Sequence, residues 1–213
     1  MLHPQPITAY LGVNGSGKTL SAIAFGLQDQ EKRGRTLITN VGGIAADHVY
    51  FEDVEELPGL LAQVGTSNIV LDEAGAMFSS RDAGRNKAFQ KTCQQLRKYH
   101  ARMLWTAPTF ARAEKICREV TFMAILCTAL RKKNVPGDPW PSTRLILQKG
   151  FDVSRLDTSA QSMNKNAKAK GFGIVRTGRW QDAFDSFAVA GGQNSAQPMQ
   201  VVVAGRRKAL PAT

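Results

Sequence analysis

Cysteine is scarce in this sequence: Cys93, Cys117 and Cys127 are the only three among 213 residues. An odd number without the paired spacing of metal ligands argues against a disulfide framework and a cysteine zinc site. Their expected role is that of small apolar residues in a reducing compartment. Long apolar runs are missing too. No stretch reaches the ~18 residues of a membrane span, and the start, Met1 to Pro6, has neither a basic region nor an apolar signal core. The expected location is the cytoplasm. Acidic residues run short in the last third of the chain. Residues 1–130 hold fourteen Lys and Arg against twelve Asp and Glu, residues 131–213 hold fourteen against five, and the net charge is +11. A basic segment beside a near-neutral one points to a polyanion partner, with DNA the expectation.

What is present is an alternation of strand and helix signals. Ile7 to Leu11 reads as a buried strand, followed by a Gly-rich loop and then helical apolar spacing from Leu20 that turns polar by Arg33, with Gly34 placed as a C-cap. Thr36 to Val41 is a second strand, ended by Gly42 and Gly43. Val54 to Val64 predicts a helix with a break or restart at Pro58-Gly59. Asn68 to Asp72 is a third strand, apolar and then abruptly acidic. Asn86 to Tyr99 predicts a polar helix with Phe89, Cys93 and Leu96 on one stripe. Arg102 to Thr106 is a fourth strand, Thr109 caps a helix to about Glu119, and Val120 to Leu130 is a fifth strand. Arg144 to Leu147 and Gly173 to Val175 read as added strands, with a polar, basic surface loop from Ser154 to Gly171 between them. Val201 to Val203 is a weak strand before a basic tail. The expected fold is α/β, with a mainly parallel sheet flanked by helices and a small basic C-terminal extension. The expected partition is a core over 1–130, added strands and basic loops over 131–190, and a tail over 191–213.

The Gly-rich loop carries chemistry. Gly12-Val13-Asn14-Gly15-Ser16-Gly17-Lys18-Thr19 fits G-x-x-x-x-G-K-T between a strand and a helix. Its glycines let backbone N–H groups curl toward phosphates, and the helix N-terminus adds positive potential. Gly12, Asn14, Gly15, Ser16, Gly17, Lys18 and Thr19 are thus the candidate residues for ATP, with Lys18 on the β/γ oxygens and Thr19 on Mg²⁺. Asp72 emerges at the end of its strand, where α/β ligands bind, as the second Mg²⁺ anchor. Glu73 beside it is the candidate to polarise the attacking water. An Asp-Glu pair suits sustained hydrolysis.

The chain resembles the zonular occludens toxin-like ATPases, which include the morphogenesis ATPases of filamentous phages and are similar to the FtsK/HerA DNA-pumping motors. The resemblance rests on Gly12 to Leu20, Thr39-Asn40-Val41, Val70 to Ala74 with Phe78 to Arg81, Gln95 to His100, Leu104 to Pro108, and Ala111 to Thr121. It covers about residues 7 to 130. Many members place a Gln after the Thr of the fourth strand to sense the γ-phosphate; here Ala107 stands there, which leaves Thr106 as the polar sensor. Phage-export members also carry a membrane span followed by an extracytoplasmic tail; neither is expected here. The resemblance implies an ATPase working as a ring, with an arginine supplied by a neighbouring subunit. Arg81, Arg97, Arg112 and Arg118 are the candidates, Arg118 first and Arg81 second.

Lys165, Lys168, Lys170, Arg176, Arg179, Arg206, Arg207 and Lys208 are the candidate phosphate contacts to DNA. Trp105, Trp140 and Trp180 are expected to be buried rather than to stack on bases. The expectation from all of this is an ATP-hydrolysing motor of a phage or mobile element that drives DNA in packaging, export or transfer. The alternatives are a nucleotide-controlled assembly protein with slow turnover, acting on a capsid or membrane-embedded partner, and a small-molecule kinase, which the Asp72-Glu73 pair and the basic C-terminal third disfavour.

Overall fold

Six strands run parallel, in the order β3-β2-β4-β5-β1-β6: β1 (Ile7–Leu11), β2 (Thr36–Thr39), β3 (His48–Tyr50), β4 (Ser67–Leu71), β5 (Arg102–Ala107) and β6 (Met123–Arg131). The computed structural model describes residues 1–77, 83–131, 143–154, 167–180, 200–203 and 206–209. Two antiparallel additions widen the sheet among these residues. β7 (Thr143–Asp152) and β8 (Lys168–Arg176) extend it from β6, and β9 (Gln200–Val203) and β10 (Arg206–Ala209) extend it from β3. Buried parallel strands read as continuous apolar runs because both faces are covered, and β1 and β4 are buried at every position.

Helix α1 (Lys18–Arg33) covers one face. Its Ile23, Phe25 and Leu27 pack with Tyr10, Leu37, Val70, Leu104 and Ile125 from alternate strand positions. A short helix, α3 (Ala74–Met77), follows β4. The other face holds α2 (Leu57–Val64), α4 (Ala83–Gln95) and α5 (Lys115–Val120), whose Leu60, Phe89 and Cys117 pack with Ile69, Met103 and Trp105. Burial pushes the Cys93 and Cys127 thiols up to about 12, so both are neutral apolar fillers, and all three cysteines are free. Trp105 and Trp180 are buried; Trp140 lies outside the described residues.

Several elements differ from the sequence pattern. Val54–Glu56 forms a 3-10 turn under a capping box from Asp53 and Glu56, and α2 begins at Leu57. Pro58 therefore lies in the first turn, where its missing N–H costs nothing. α4 starts and stops three to four residues earlier than Asn86 to Tyr99. The helix expected from Thr109 is split at Ala113 into a 3-10 turn, Phe110–Arg112, and α5, and Thr109 makes no side-chain cap. β8 starts at Lys168, inside the expected loop, and β10 occupies Arg206–Ala209 of the expected tail.

One buried charge ties the parallel strands to α1. Asp29 is 2% exposed near the end of α1. Its carboxylate accepts from Asn68 of β4 at 3.0 Å and from Arg102 of β5 at 2.9 Å, and it pairs with Arg35 at 3.2 Å and with Arg33. Burial alone would raise its pKa; the Asn68 amide and the Arg33 and Arg102 guanidinia outweigh burial and hold it below the ordinary value. Asp29→Ala would leave three arginines clustered without their anion, and should cost about 3–5 kcal/mol in urea unfolding at neutral pH. A folded pKa below the unfolded one means a contribution complete above ~3.9 and lost as pH falls through the folded value. The gap between wild type and variant should therefore close below about pH 4.

Candidate nucleotide-binding site

The loop predicted between β1 and α1 is where the sequence placed it, and contacts from a later hairpin set its shape. Gly12 has φ 151°, and a Cβ there would lie 2.3 Å from Ser16 Oγ and 2.8 Å from the Cys127 carbonyl of β6. Gly17 has φ 83°, and a Cβ there would strike Ile146 of β7 at 2.4 Å. Both positions need glycine for backbone angle and for space. The Gly12 N–H donates to the Ala107 carbonyl at 3.3 Å, and Ser16 N–H to Val13 at 3.0 Å. Helix α1 begins at Lys18, so the N–H groups of its first turn have no carbonyl within the helix.

Two observations mark the loop as an anion site. Lys18 is 7% exposed, yet forms no ion pair with any described residue. Ser16 Oγ is buried with no hydrogen-bond partner among the described residues. An unpaired buried ammonium is costly unless an anion completes it, and phosphate oxygens would serve both groups.

The acidic partner is in place. Thr19 Oγ1 donates to Asp72 Oδ1 at 2.7 Å, and Thr106 Oγ1 donates to the same oxygen at 2.6 Å. Thr106 Oγ1 in turn accepts from the Glu73 N–H at 3.0 Å. This is possible because β5 lies between β1 and β4, which puts Thr106 at its carboxyl end between the loop and the acids. A hydroxyl beside a carboxylate is a hard-oxygen pair that suits Mg²⁺. Among the described residues no group of three or more His, Cys, Asp or Glu could hold a metal ion. Glu73 has φ 51°, a left-handed backbone that costs a non-glycine residue ~1–2 kcal/mol. Such strain clusters at working sites. Its exposed carboxylate has no hydrogen bond or ion pair with a described residue.

Asn40, at the end of β2, has a role that the sequence did not reveal. Its Oδ1 accepts from the Asp72 N–H at 2.8 Å and its Nδ2 donates to the Asp72 carbonyl at 3.2 Å. The available signal was a short amide ending an apolar strand, as Asp72 ends another. Arg118 is not at the site. Its guanidinium donates to the carbonyls of Ala111 and Ala113 at 2.8 and 2.9 Å. Its helix leads to Phe122, whose N–H meets the Ile7 carbonyl at the end of β1 away from the loop. Arg81 lies outside the described residues, as does Lys165. Arg112 lies in the 3-10 turn after β5. Lys170 pairs with Asp152 at 3.1 Å and Arg179 with Glu31 at 2.6 Å, whereas Lys168 and Arg176 are exposed. Arg206, Arg207 and Lys208 lie on β10.

The fold and its loop are those of the P-loop nucleoside triphosphatases. In sequence, the family model described as zonular occludens toxin (Zot) matches residues 7–62. In fold, the chain is similar to the N-terminal domain of zonular occludens toxin from Neisseria meningitidis, with 17% identity, 86% of this chain and 100% of that one covered, and a TM-score of 0.54. It is also similar to the genome packaging NTPase B204 of Sulfolobus turreted icosahedral virus 2. The B204 complex with ATP-gammaS gives 11% identity over 81% of this chain and 98% of that one, and the AMPPCP complex 12% over 81% and 97%, both with a TM-score of 0.50. No curated protein matches the chain. The resemblance to Zot-like proteins read from the sequence is therefore met in both sequence and fold. Among the described residues, no helix is long and apolar enough to cross a membrane.

Asn40→Ala would orphan the Asp72 N–H and carbonyl together, and should lower stability by about 1–3 kcal/mol in thermal melts. Asn40→Asp keeps the acceptor but turns a carboxylate oxygen toward the Asp72 carbonyl. It should therefore be no better than Asn40→Ala, and a wild-type melt for either variant would mean the clamp contributes nothing.

Proposed function

We propose that this protein is an ATP-hydrolysing motor of a phage or mobile element that moves DNA. The observation that carries the proposal is the joined set of Thr19, Asp72, Thr106 and Glu73 beside a buried Lys18 that has no ion pair among the described residues. Lys18, Ser16 and the first-turn N–H groups of α1 would hold the phosphates of ATP. Thr19 and Asp72 would hold Mg²⁺, which when bound neutralises charge on the β- and γ-oxygens. Glu73 would accept a proton from the attacking water. Thr106, fixed to both acids, would report the occupied site to β5. The similarity in fold to a viral genome packaging NTPase supports the motor reading, and the net charge of +11 supports a nucleic-acid partner.

Lys18 is the only cation in the loop, Gly12 to Thr19, so a further positive charge is proposed to come from a second copy in a ring. Arg81 and Arg118 are the proposed sources, and Arg118 would have to leave the Ala111 and Ala113 carbonyls to serve. Such a cation is worth ~10³–10⁵ in rate. Mixing Arg118→Ala or Arg81→Ala protein with Lys18→Ala protein before assembly should restore turnover, because one copy's intact loop meets the other's intact arginine. Full activity of both arginine variants alone would remove this part of the proposal.

Turnover measured with and without DNA tests the proposal as a whole. DNA should stimulate hydrolysis, Lys18→Ala should lose both nucleotide binding and turnover, and Glu73→Gln should bind ATP but turn over ~10²-fold more slowly. Slow turnover indifferent to DNA would point to the assembly protein, and phosphoryl transfer to a metabolite to a kinase.

A further inference from the structure

The charge balance directs attention to the C-terminal third, but several of the cations described there are committed. Arg179 pairs with Glu31 and stands over the Trp180 ring, Lys170 pairs with Asp152, and Lys149 lies over the rings of Phe151 and Phe172 at 5.1 and 5.7 Å. Helix α4 is different. From Ala83 to Ala113 the sequence contains no Asp or Glu at all. Phe89 and Leu96, 0% and 3% exposed, anchor one side of the helix to the core. That orientation turns Lys87, Gln90, Lys91 and Gln94 to solvent, and Lys98 continues the line in the following turn. Spacings of three, four and seven residues put the four helical ones on one stripe, and Lys98, three residues past the end of the helix and over the Tyr99 ring at 5.2 Å, stands exposed beyond it.

Neither Lys87 nor Lys91 makes a hydrogen bond or ion pair with a described residue. The acids on the elements packed against α4 are mostly occupied. Asp53 is held by Arg85 at 2.9 Å, Glu119 by Lys115 at 3.5 Å, and Glu56 by the N–H groups of Glu52 and Asp53. A line of ammonium groups alternating with amides, without carboxylates, fits a backbone of regularly spaced phosphates. Lysines neutralise phosphate charge, and glutamines hydrogen-bond phosphate and sugar oxygens without reading sequence. An anionic membrane fits less well: a helix lying on lipid carries Leu, Phe or Trp at its exposed boundary, whereas the large apolar side chains of α4 face the core.

We propose that the Lys87–Gln90–Lys91–Gln94–Lys98 stripe is the nucleic-acid contact face, binding the sugar-phosphate backbone. The proposal rests on the DNA-motor reading above and assigns it a surface. α4 is the next long helix in the chain after Asp72 and Glu73, so the acids of the nucleotide site and the stripe belong to neighbouring stretches of sequence.

The test is fluorescence anisotropy of labelled single- and double-stranded oligonucleotides over a range of salt, with the full chain and Lys87→Gln/Lys91→Gln/Lys98→Gln. Each lost phosphate contact lowers the slope of log affinity against log salt by about 0.7–0.9. The triple variant should therefore lose about 2–3 from the slope and bind at least ~10-fold more weakly at low salt. Its turnover without DNA should equal wild type, since none of the three lysines belongs to the nucleotide site. Lys168→Gln/Arg176→Gln should have a smaller effect on binding. If wild type binds DNA and the triple variant keeps its affinity and slope, the stripe is overturned and the motor reading stands. If wild type binds neither oligonucleotide, both fall. Loss of binding to phosphatidylserine vesicles with DNA affinity intact would overturn the nucleic-acid assignment in favour of a membrane.

Discussion

Asp72 is the point on which the site depends. Two hydroxyls, from Thr19 and Thr106, donate to a single oxygen of its carboxylate, and its own N–H and carbonyl are both taken by Asn40. Four separate pieces of chain meet there: the start of α1 and the ends of β2, β4 and β5. Adjacent strands lie ~4.8 Å apart, so β1 and β4, separated by β5, stand ~10 Å from each other. That gap is too wide for a backbone contact between loop strand and acid strand. Thr106 on the intervening strand and Thr19 on the helix bridge it, and the strand order is what makes both bridges reach the same carboxylate.

The loop depends on a second constraint, from the far side. β6 runs on past the end of β1 and turns back as β7, so the Cys127 carbonyl and the Ile146 side chain press against Gly12 and Gly17. The antiparallel addition therefore does more than widen the sheet. It closes one wall of the loop, and Gly12 and Gly17, two of the three loop glycines with positive φ, have no room for a side chain.

Local patterns made part of this legible in advance. The ends of β1, the G-x-x-x-x-G-K-T spacing and the abrupt Asp-Glu after an apolar run are features of a few consecutive residues, and the structure places them where the pattern did. What depends on pairing across the chain was not legible. β3 is three residues long and exists because β2 and β9 flank it. Asn40 acquires its role from a partner 32 residues away. Charge counting also had a blind spot. It summed Lys170 and Arg179 as available and could not know that Asp152 and Glu31 pair with them. The stripe of Phe89 and Leu96 was legible, and its burial leaves Lys87 and Lys91 of α4 on the open side.

The strain at Glu73 fits the same picture. Its left-handed backbone is held from both sides: the Glu73 N–H is bound by Thr106, and the preceding residue is clamped by Asn40. No described residue binds its carboxylate. The direction of that side chain is therefore set by backbone bonds to two neighbouring strands and not by side-chain contacts. A group so mounted has a fixed backbone position and no carboxylate partner among the described residues, which suits the proposed role of a base toward water. Through Thr106 and Asn40, the backbone of Asp72 and Glu73 is joined to the two strands that flank β4.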